Sequence, residues 1–157
     1  MSTLDERLLA EWEQIDKAAW DLWGRALDPS AMAPLELAGV ASLLSAIYNG
    51  IENILKQVVG ADGPLPTGPR WHADLLDQAG RAGALDTATR VGLRQWLGFR
   101  HFFHHGYPLR MEPAQLAVML EAAPGLLDGF RECINRCRQQ KAGLADLLPV
   151  LRHRGSR

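Results

Sequence analysis

Long apolar runs and cysteines are both scarce in this chain. No apolar stretch approaches the roughly 20 residues that a helix needs to span a bilayer, and the first residues lack the basic-then-apolar order of a signal peptide. The two cysteines, Cys133 and Cys137, lie four residues apart without a second pair at zinc-binding spacing. These absences favour a cytoplasmic protein with reduced thiols, no metal, no cofactor and no membrane association.

Strand patterns and internal repeats are missing as well. No segment alternates apolar and polar residues over the length of a strand, and no unit of about 20 to 50 residues recurs. Apolar residues recur instead at intervals of three and four, which is typical of helices that bury one face. We therefore predict an all-α protein: an antiparallel four-helix bundle with an extra short helix, about five helices in all. The predicted domain covers residues 1–145, and a basic C-terminal tail follows at 146–157.

Capping residues and prolines indicate where the helices begin and end. Thr3 and Glu6 form a capping-box pattern at the start of the first helix. Asp86 is a candidate N-cap for the fourth helix. Pro124 falls inside the fifth helix, where proline removes a backbone hydrogen bond and clashes with the carbonyl four residues earlier. We therefore predict a kink or a break between Leu120 and Pro124.

Acidic residues are absent between Asp86 and Glu112, although that stretch carries four arginines. The first 60 residues contain nine acids against four bases, whereas the rest of the chain contains nine acids against thirteen bases. The formal net charge of −1 is no general signature of nucleic-acid binding. A local excess of positive charge can still attract phosphate. We therefore predict that Arg90, Arg94 and Arg110 contact phosphate groups.

The same stretch ends in a dense polar run from Arg100 to Tyr107 that contains three histidines. Residues five apart differ by about 140° around a helix, so Arg100 and His105 cannot share one face of a regular helix. Gly106 and Pro108 follow at once, and both residue types are typical of a helix C-terminus. The helix is therefore predicted to end here, with His105 at its terminus.

Three interpretations of the histidines are open. His101 and His105 are four apart, a spacing that metal-binding helices use, but no third ligand pattern accompanies them. The histidines could instead cap the helix, where imidazolium meets the negative end of the helix dipole. The third interpretation is catalysis. Imidazole titrates near neutrality and can move a proton, while a guanidinium can stabilise extra charge on phosphorus.

The order Arg, four residues, His, one residue, Tyr at positions 100–107 resembles the signature of the HEPN superfamily. More specifically, it is similar to the HepT-like ribonuclease toxins that are partnered by minimal nucleotidyltransferase (MNT) antitoxins. His101, the polar residue directly after the arginine, also matches that pattern. Two further segments, Tyr48–Leu55 and Trp71–Leu76, are similar to HepT-like chains. The resemblance implies a HEPN-like helical bundle.

The resemblance also implies an activity: a metal-independent endoribonuclease toxin of a type II/VII-like toxin–antitoxin system. Arg100 and His105 would be catalytic, with His101, His104 and Glu52 in support. RNA carries its own nucleophile, the 2′-hydroxyl, so such an enzyme needs a group that moves a proton and a cation that stabilises the transition state. The implied product is a 2′,3′-cyclic phosphate.

The partners implied by the resemblance are a second copy of the chain and an MNT-type nucleotidyltransferase antitoxin. The antitoxin would inhibit the toxin by AMPylation of Tyr107. The homodimer has separate support on the fourth helix, because Trp96, Phe99, Phe102 and Phe103 offer more aromatic surface than one bundle face needs. We therefore expect a dimer that brings both copies of the motif together.

Simpler interpretations remain open at three levels. Glu52 could form an ion pair with Lys56, one helical turn later, instead of supporting the arginine. His72, near the start of the short helix, is predicted to be structural. For the whole protein, the alternative function is a non-catalytic helical adaptor that docks a nucleotidyltransferase and uses the motif only as a binding surface.

Overall fold

A computed structural model describes residues 3–105 and 112–154, with the backbone alone described from 145 onward. Its elements in chain order are α1 (Leu4–Trp23), a 3-10 turn (Pro29–Ala31), α2 (Pro34–Gly60), α3 (Trp71–Arg81), α4 (Thr87–His104) and α5 (Pro113–Arg154). The described ranges contain no β-strand, and five α-helices account for most of them. The predicted all-α fold is confirmed. None of the helices in these ranges is long and apolar enough to cross a membrane.

α1 and α2 form an antiparallel pair. In the interior of the pair, Ile15 of α1 packs against Gly50 of α2, and toward the start of α1 the Arg7 Nε–H donates to Gln57 Oε1 (3.2 Å). A Cβ atom at position 50 would lie 2.6 Å from Cγ1 of Ile15, so glycine is what allows the two helices to approach this closely. The inward face of α2 is mostly apolar, as its three- and four-residue spacing predicted, with Glu52 as its one buried charged residue.

α5 crosses the outer side of α1 in the opposite direction. Arg138 pairs with Asp5 at the start of α1, and Arg131 pairs with Asp16 further along it (2.5 Å). The numbers rise on one helix as they fall on the other, so the two helices are antiparallel. With α2 and α4 these helices make the predicted four-helix bundle, and α3 is the extra short helix.

Two helix starts confirm the predicted caps. Thr3 Oγ1 accepts from the Glu6 N–H (3.2 Å) while Glu6 Oε2 accepts from the Thr3 N–H (2.8 Å), which completes the capping box. Asp86 Oδ1 accepts from the Thr89 N–H (2.7 Å) at the start of α4. That backbone hydrogen bond is the main reason why the pKa of Asp86 is lowered.

Of the predicted kink or break at Pro124, the break is wrong, because α5 is continuous through this residue. Proline lacks the N–H that would normally bond the carbonyl of Leu120. That carbonyl accepts instead from the Trp23 indole Nε1–H of α1 (3.0 Å). A side chain 97 positions away in sequence therefore satisfies the oxygen that the proline leaves without its usual partner.

The aromatic surplus predicted for α4 is smaller than expected. Trp96 is fully buried and tilts against Tyr48 of α2 at 6.1 Å between ring centroids. Phe99 and Phe103 pack partly against the core. Phe102 is the exposed member of the set, at 38%. One bundle therefore absorbs most of the aromatic surface that seemed to require a partner.

Candidate active site

The polar run ends α4 as predicted. His104 is the last helical residue and His105 is the C-cap, whose backbone N–H donates to the His101 carbonyl (2.9 Å). The side chains of His104 and His105 are exposed, while Arg100 and His101 are half-buried. The exposed end of α4 therefore carries an arginine and three imidazoles within a turn and a half of helix.

Arg100 is held by a neutral partner on the neighbouring helix. Its Nε–H donates to Oδ1 of Asn49 in α2 (2.8 Å). Among the described residues, no carboxylate forms an ion pair with this guanidinium. The amide thus orients the guanidinium without neutralising its charge, and the terminal nitrogens remain available as donors for an anion.

Glu52 bonds to a histidine of α3 and not to the arginine that it was expected to support. Its carboxylate is buried, with 3% of the residue exposed, and accepts from Nδ1 of His72 in the first turn of α3. The alternative ion pair with Lys56 does not form within the described part of the chain. The ammonium of Lys56 lies over the Trp71 ring instead, 4.6 Å from its centroid.

The imidazoles of three residues make a row along one side of the site. The His72 and His101 rings meet edge to face at 5.4 Å between centroids, and the His101 and His105 rings stack at 5.6 Å with 15° between their planes. His104 points elsewhere and meets the Phe103 ring at 5.6 Å. Residues 101 and 105 therefore share a face, as four-residue spacing on a helix requires.

The electrostatics of the row favour neutral imidazole at His101. Burial lowers the pKa of His101, the neighbouring His72, Arg100 and His105 lower it further, and Glu52 opposes them. The pKa of His104 is also lowered, first by burial and then by Arg100 and His105. His101 is thus expected to be neutral at pH 7.

Tyr48 lies beneath the site and is completely buried. Burial raises the pKa of its phenol far above the usual range, Glu52 raises it further, and Arg100 opposes both. The hydroxyl is therefore neutral at every pH at which the protein works. Its sensitivity to both charges indicates that Glu52 and Arg100 act on one small region of the α2–α4 interface.

The two arginines predicted to contact phosphate, Arg90 and Arg94, lie further back on α4. Both donate to Oδ1 of Asp77 in α3, at 2.9 and 3.2 Å. Arg90 also lines a shallow depression of about 440 Å³ together with Asp77 and Arg81. One carboxylate is shared by two guanidinium groups, so the cluster keeps a net positive charge.

Two predicted site residues, Tyr107 and Arg110, lie outside the described residues. For the rest of the chain, the structure brings Arg100, His101, His105 and Glu52 into one region. No group of three or more His, Cys, Asp or Glu side chains within residues 3–105 and 112–144 is arranged to hold a metal ion.

Sequence reasoning missed three partners in this region: Asn49, His72 and Asp77. Asn49 and His72 lie in the two segments that are similar to HepT-like chains, but nothing in their spacing indicates which side chains they meet. His72 contacts Glu52 across 20 positions, and Asp77 reaches Arg90 across 13. Pairings at such separations depend on how helices pack, and helical periodicity does not report them.

Comparison with known proteins identifies the family. Residues 39–141, well over half of the chain, match the family described as HepT-like protein. The matched range contains all of α3 and α4 and most of α2, and therefore includes both Asn49 and His72. No curated protein and no solved structure matched the chain. The fold, the polar end of α4 and the family match agree, and the chain belongs to the HepT-like family of the HEPN superfamily.

Proposed function

We propose that this protein is a metal-independent endoribonuclease toxin that cleaves RNA at the end of α4. The family is one of toxin-like ribonucleases, which supports the general activity. The single observation that carries the finer assignment is the Arg100 guanidinium, oriented by the neutral Asn49 at 2.8 Å, next to the His101–His105 stack. A charged donor and a proton-moving group at the same end of α4 are the two groups that RNA cleavage needs.

In the proposed reaction the 2′-hydroxyl of RNA attacks the adjacent phosphorus. Neutral His105 accepts the hydroxyl proton as the O2′–P bond forms, and the P–O5′ bond breaks as the leaving oxygen takes a proton from solvent. The products are a 2′,3′-cyclic phosphate and a 5′-hydroxyl. Arg100 stabilises the extra negative charge that develops on the phosphoryl oxygens, for which its planar fork of donors is suited.

Cleavage of a fluorogenic RNA by purified protein, with and without EDTA, tests this assignment. We expect EDTA to leave the rate unchanged, and His105→Ala and Arg100→Lys each to reduce it by about a hundredfold or more with the helical circular dichroism retained. Arg131→Lys is the matched control, because Arg131 pairs with Asp16 away from the site. Activity that EDTA abolishes and zinc restores would contradict the proposal. So would a null His104→Ala variant beside an active His105→Ala variant.

We further propose that an MNT-type nucleotidyltransferase antitoxin silences the enzyme by AMPylation of Tyr107. An AMP group there adds a phosphodiester charge two residues beyond His105, where it competes with RNA phosphate for the same donors. Co-expression with a neighbouring nucleotidyltransferase, followed by peptide mapping, should locate the added AMP on Tyr107. The Tyr107→Phe variant should stay toxic. If the partner neutralises that variant equally well, inhibition works by complex formation alone.

The proposed assembly is a homodimer in which two copies of the motif line one cleft. Phe102 is 38% exposed beside the site and Val91 is 48% exposed earlier on α4, which leaves some apolar surface for a partner. Light scattering at micromolar concentration should give twice the monomer mass. A monomer would contradict this assembly and would also favour the alternative function, a helical adaptor without activity, if RNA cleavage were absent too.

A further inference from the structure

Glu52 is the one charged residue among the buried side chains of the described chain. It projects from the middle of α2, next to apolar residues that are fully buried. A carboxylate in such surroundings is costly unless a partner satisfies it, and its presence is weak evidence for a stabilising role. The identity of its partner therefore indicates what the buried charge does.

That partner, His72, is restrained on two sides. Its Nδ1–H donates to the Glu52 carboxylate, which sets the tautomer and leaves Nε2 on the opposite side of the ring. One ring face stacks on Trp71, at 3.6 Å between centroids. The side chain of His72 is only 17% exposed. This is the arrangement in which a carboxylate orients an imidazole that acts elsewhere.

The restrained ring continues into the proposed active site. His72 meets His101 edge to face at 5.4 Å, and His101 stacks on His105 at 5.6 Å. Four side chains from α2, α3 and α4 thus form one row, from a buried carboxylate to an exposed imidazole at the helix C-cap. A residue at the end of a helix with an exposed side chain has few restraints of its own, so His101 is its main lateral support.

We propose that Glu52 and His72 are positioning residues, which hold His101 in place and through it the catalytic ring of His105. This inference rests on the proposed ribonuclease function and adds to it a residue, His72, that sequence analysis assigned to structure alone. An imidazole held in one orientation avoids the loss of rate that comes from sampling unproductive rotamers. The charged and titratable groups that act on His101 are Glu52, His72, Arg100 and His105.

The test uses a variant that preserves the bond to Glu52 but removes the ring. In His72→Asn, the side-chain amide can take the place of Nδ1–H as the donor, so the buried carboxylate keeps a partner. We expect kcat for RNA cleavage to fall about 10- to 100-fold, with KM changed less than about twofold. Glu52→Gln is the second variant, with a smaller loss expected because its amide oxygen can still accept from His72.

Matched controls exist on the same two helices. Gln78 of α3 donates to the carbonyl of Pro64 (3.0 Å), and Asn53 of α2 donates to Glu11 (3.4 Å), both away from the row. Gln78→Ala and Asn53→Ala should leave kcat unchanged. If His72→Asn cleaves RNA like the wild type, the positioning role is wrong. The same conclusion holds if its loss of activity is matched by the two control variants.

Imidazole NMR supplies a readout that does not need RNA cleavage. The His101 pKa should rise in His72→Asn, because a ring that lowers it is gone, and should fall in Glu52→Gln, because the opposing charge is gone. The His105 ring signals should move in both variants. Unchanged His101 and His105 signals would overturn the proposal. A wild type that does not cleave RNA would instead overturn the ribonuclease assignment, and the NMR result would still decide whether His72 positions the row.

Discussion

Helix α4 carries two groups of arginines whose partners differ in charge: Arg100 alone, and the pair Arg90 and Arg94. Arg100 donates to the neutral amide of Asn49 at 2.8 Å. Arg90 and Arg94 share the carboxylate of Asp77 at 2.9 and 3.2 Å. In both places a residue on a neighbouring helix orients the guanidinium. Only at Arg100 is the positive charge left without a compensating carboxylate.

The difference teaches that the number of arginines in a stretch overstates the charge that a phosphate meets. A shared carboxylate reduces the field of the Arg90–Arg94 pair to that of one cation. The side-chain amide of Asn49 accepts a hydrogen bond from Arg100 but carries no charge, so it does not neutralise the guanidinium. A site for an anionic transition state is best served by the second arrangement, because its donors are preorganised without being neutralised. The four predictions below exchange or disturb these partners.

The largest effect is expected from Asn49→Asp, which gives Arg100 the kind of partner that Arg90 has. A carboxylate at that position would compete with RNA phosphate for the guanidinium, so kcat/KM for RNA cleavage should fall by about tenfold or more. Gln57→Glu is the matched control, since Gln57 of α2 also accepts from an arginine Nε–H, that of Arg7 in α1. Equal losses in both variants would show that the effect is not specific to Arg100.

The reverse exchange is Asp77→Asn, which frees both Arg90 and Arg94. RNA should bind a few times more tightly, and the slope of log K against log salt should steepen by about one, because one more unit of positive charge is available. The rate of the chemical step should not change. Asp16→Asn, which frees Arg131 on the far side of α1, is the control. An unaltered salt slope would mean that Arg90 and Arg94 do not contact RNA.

A smaller effect concerns pH, because the unneutralised charge of Arg100 contributes to the lowered pKa values of His101 and His104. Histidines in the unfolded chain bind protons near pH 6.5, whereas these two bind them at lower pH when folded, so acid favours unfolding. The stabilisation is complete above about pH 6.5 and is lost as pH falls through the folded pKa values. Urea denaturation at pH 7.5 and 5.5 measures the loss.

Two variants separate the arginines in that experiment. Arg100→Gln should reduce the loss of stability between the two pH values, because the pKa values of His101 and His104 move back toward their usual range. Arg90→Gln should not, since Arg90 is not among the causes of either shift. Identical pH dependence in both variants would mean that the charge of Arg100 does not reach the imidazoles.

The smallest effect is expected from Gly80→Ala, which disturbs Arg90 without changing a charge. A Cβ at position 80 would lie 2.9 Å from Arg90 Cδ, so the arginine must move from its place beside Asp77. Moving Arg90 away from Asp77 should cost free energy of unfolding. That loss should offset most of the gain of about 1 kcal/mol that replacing glycine by alanine brings to a helix. Gly98→Ala is the control, because a Cβ there meets nothing within 4 Å and the full gain should appear in thermal unfolding.

Much of the fold could be predicted because helix signals are local. The three- and four-residue spacing of apolar residues, the Thr3–Glu6 capping box and the Asp86 cap each involve neighbours within one or two turns. The end of α4 at His105 was also predictable, from the glycine and proline that follow it. Local rules of this kind depend on residues that are close together in sequence, so the sequence displays them directly.

Local rules failed where a distant side chain intervened. Pro124 indicated a kink or a break, yet α5 continues through it, and the Trp23 indole bonds the carbonyl of Leu120. The four aromatic residues of α4 indicated a large exposed aromatic surface, but packing against Tyr48 of α2 buries Trp96 completely. Each error has one cause: the sequence shows which groups need a partner and does not show which groups lie within reach.

The sequence by itself determined that this protein is helical, where its helices begin and end, and that one of them ends in a cluster of cationic and titratable groups. Tertiary structure alone decided the partners of those groups. Asn49 and not a carboxylate meets Arg100, His72 and not Lys56 meets Glu52, and Asp77 meets Arg90. The reason is physical. The helical repeat determines on which face of its own helix a side chain lies. The charges around that side chain depend on which residues of other helices pack against it.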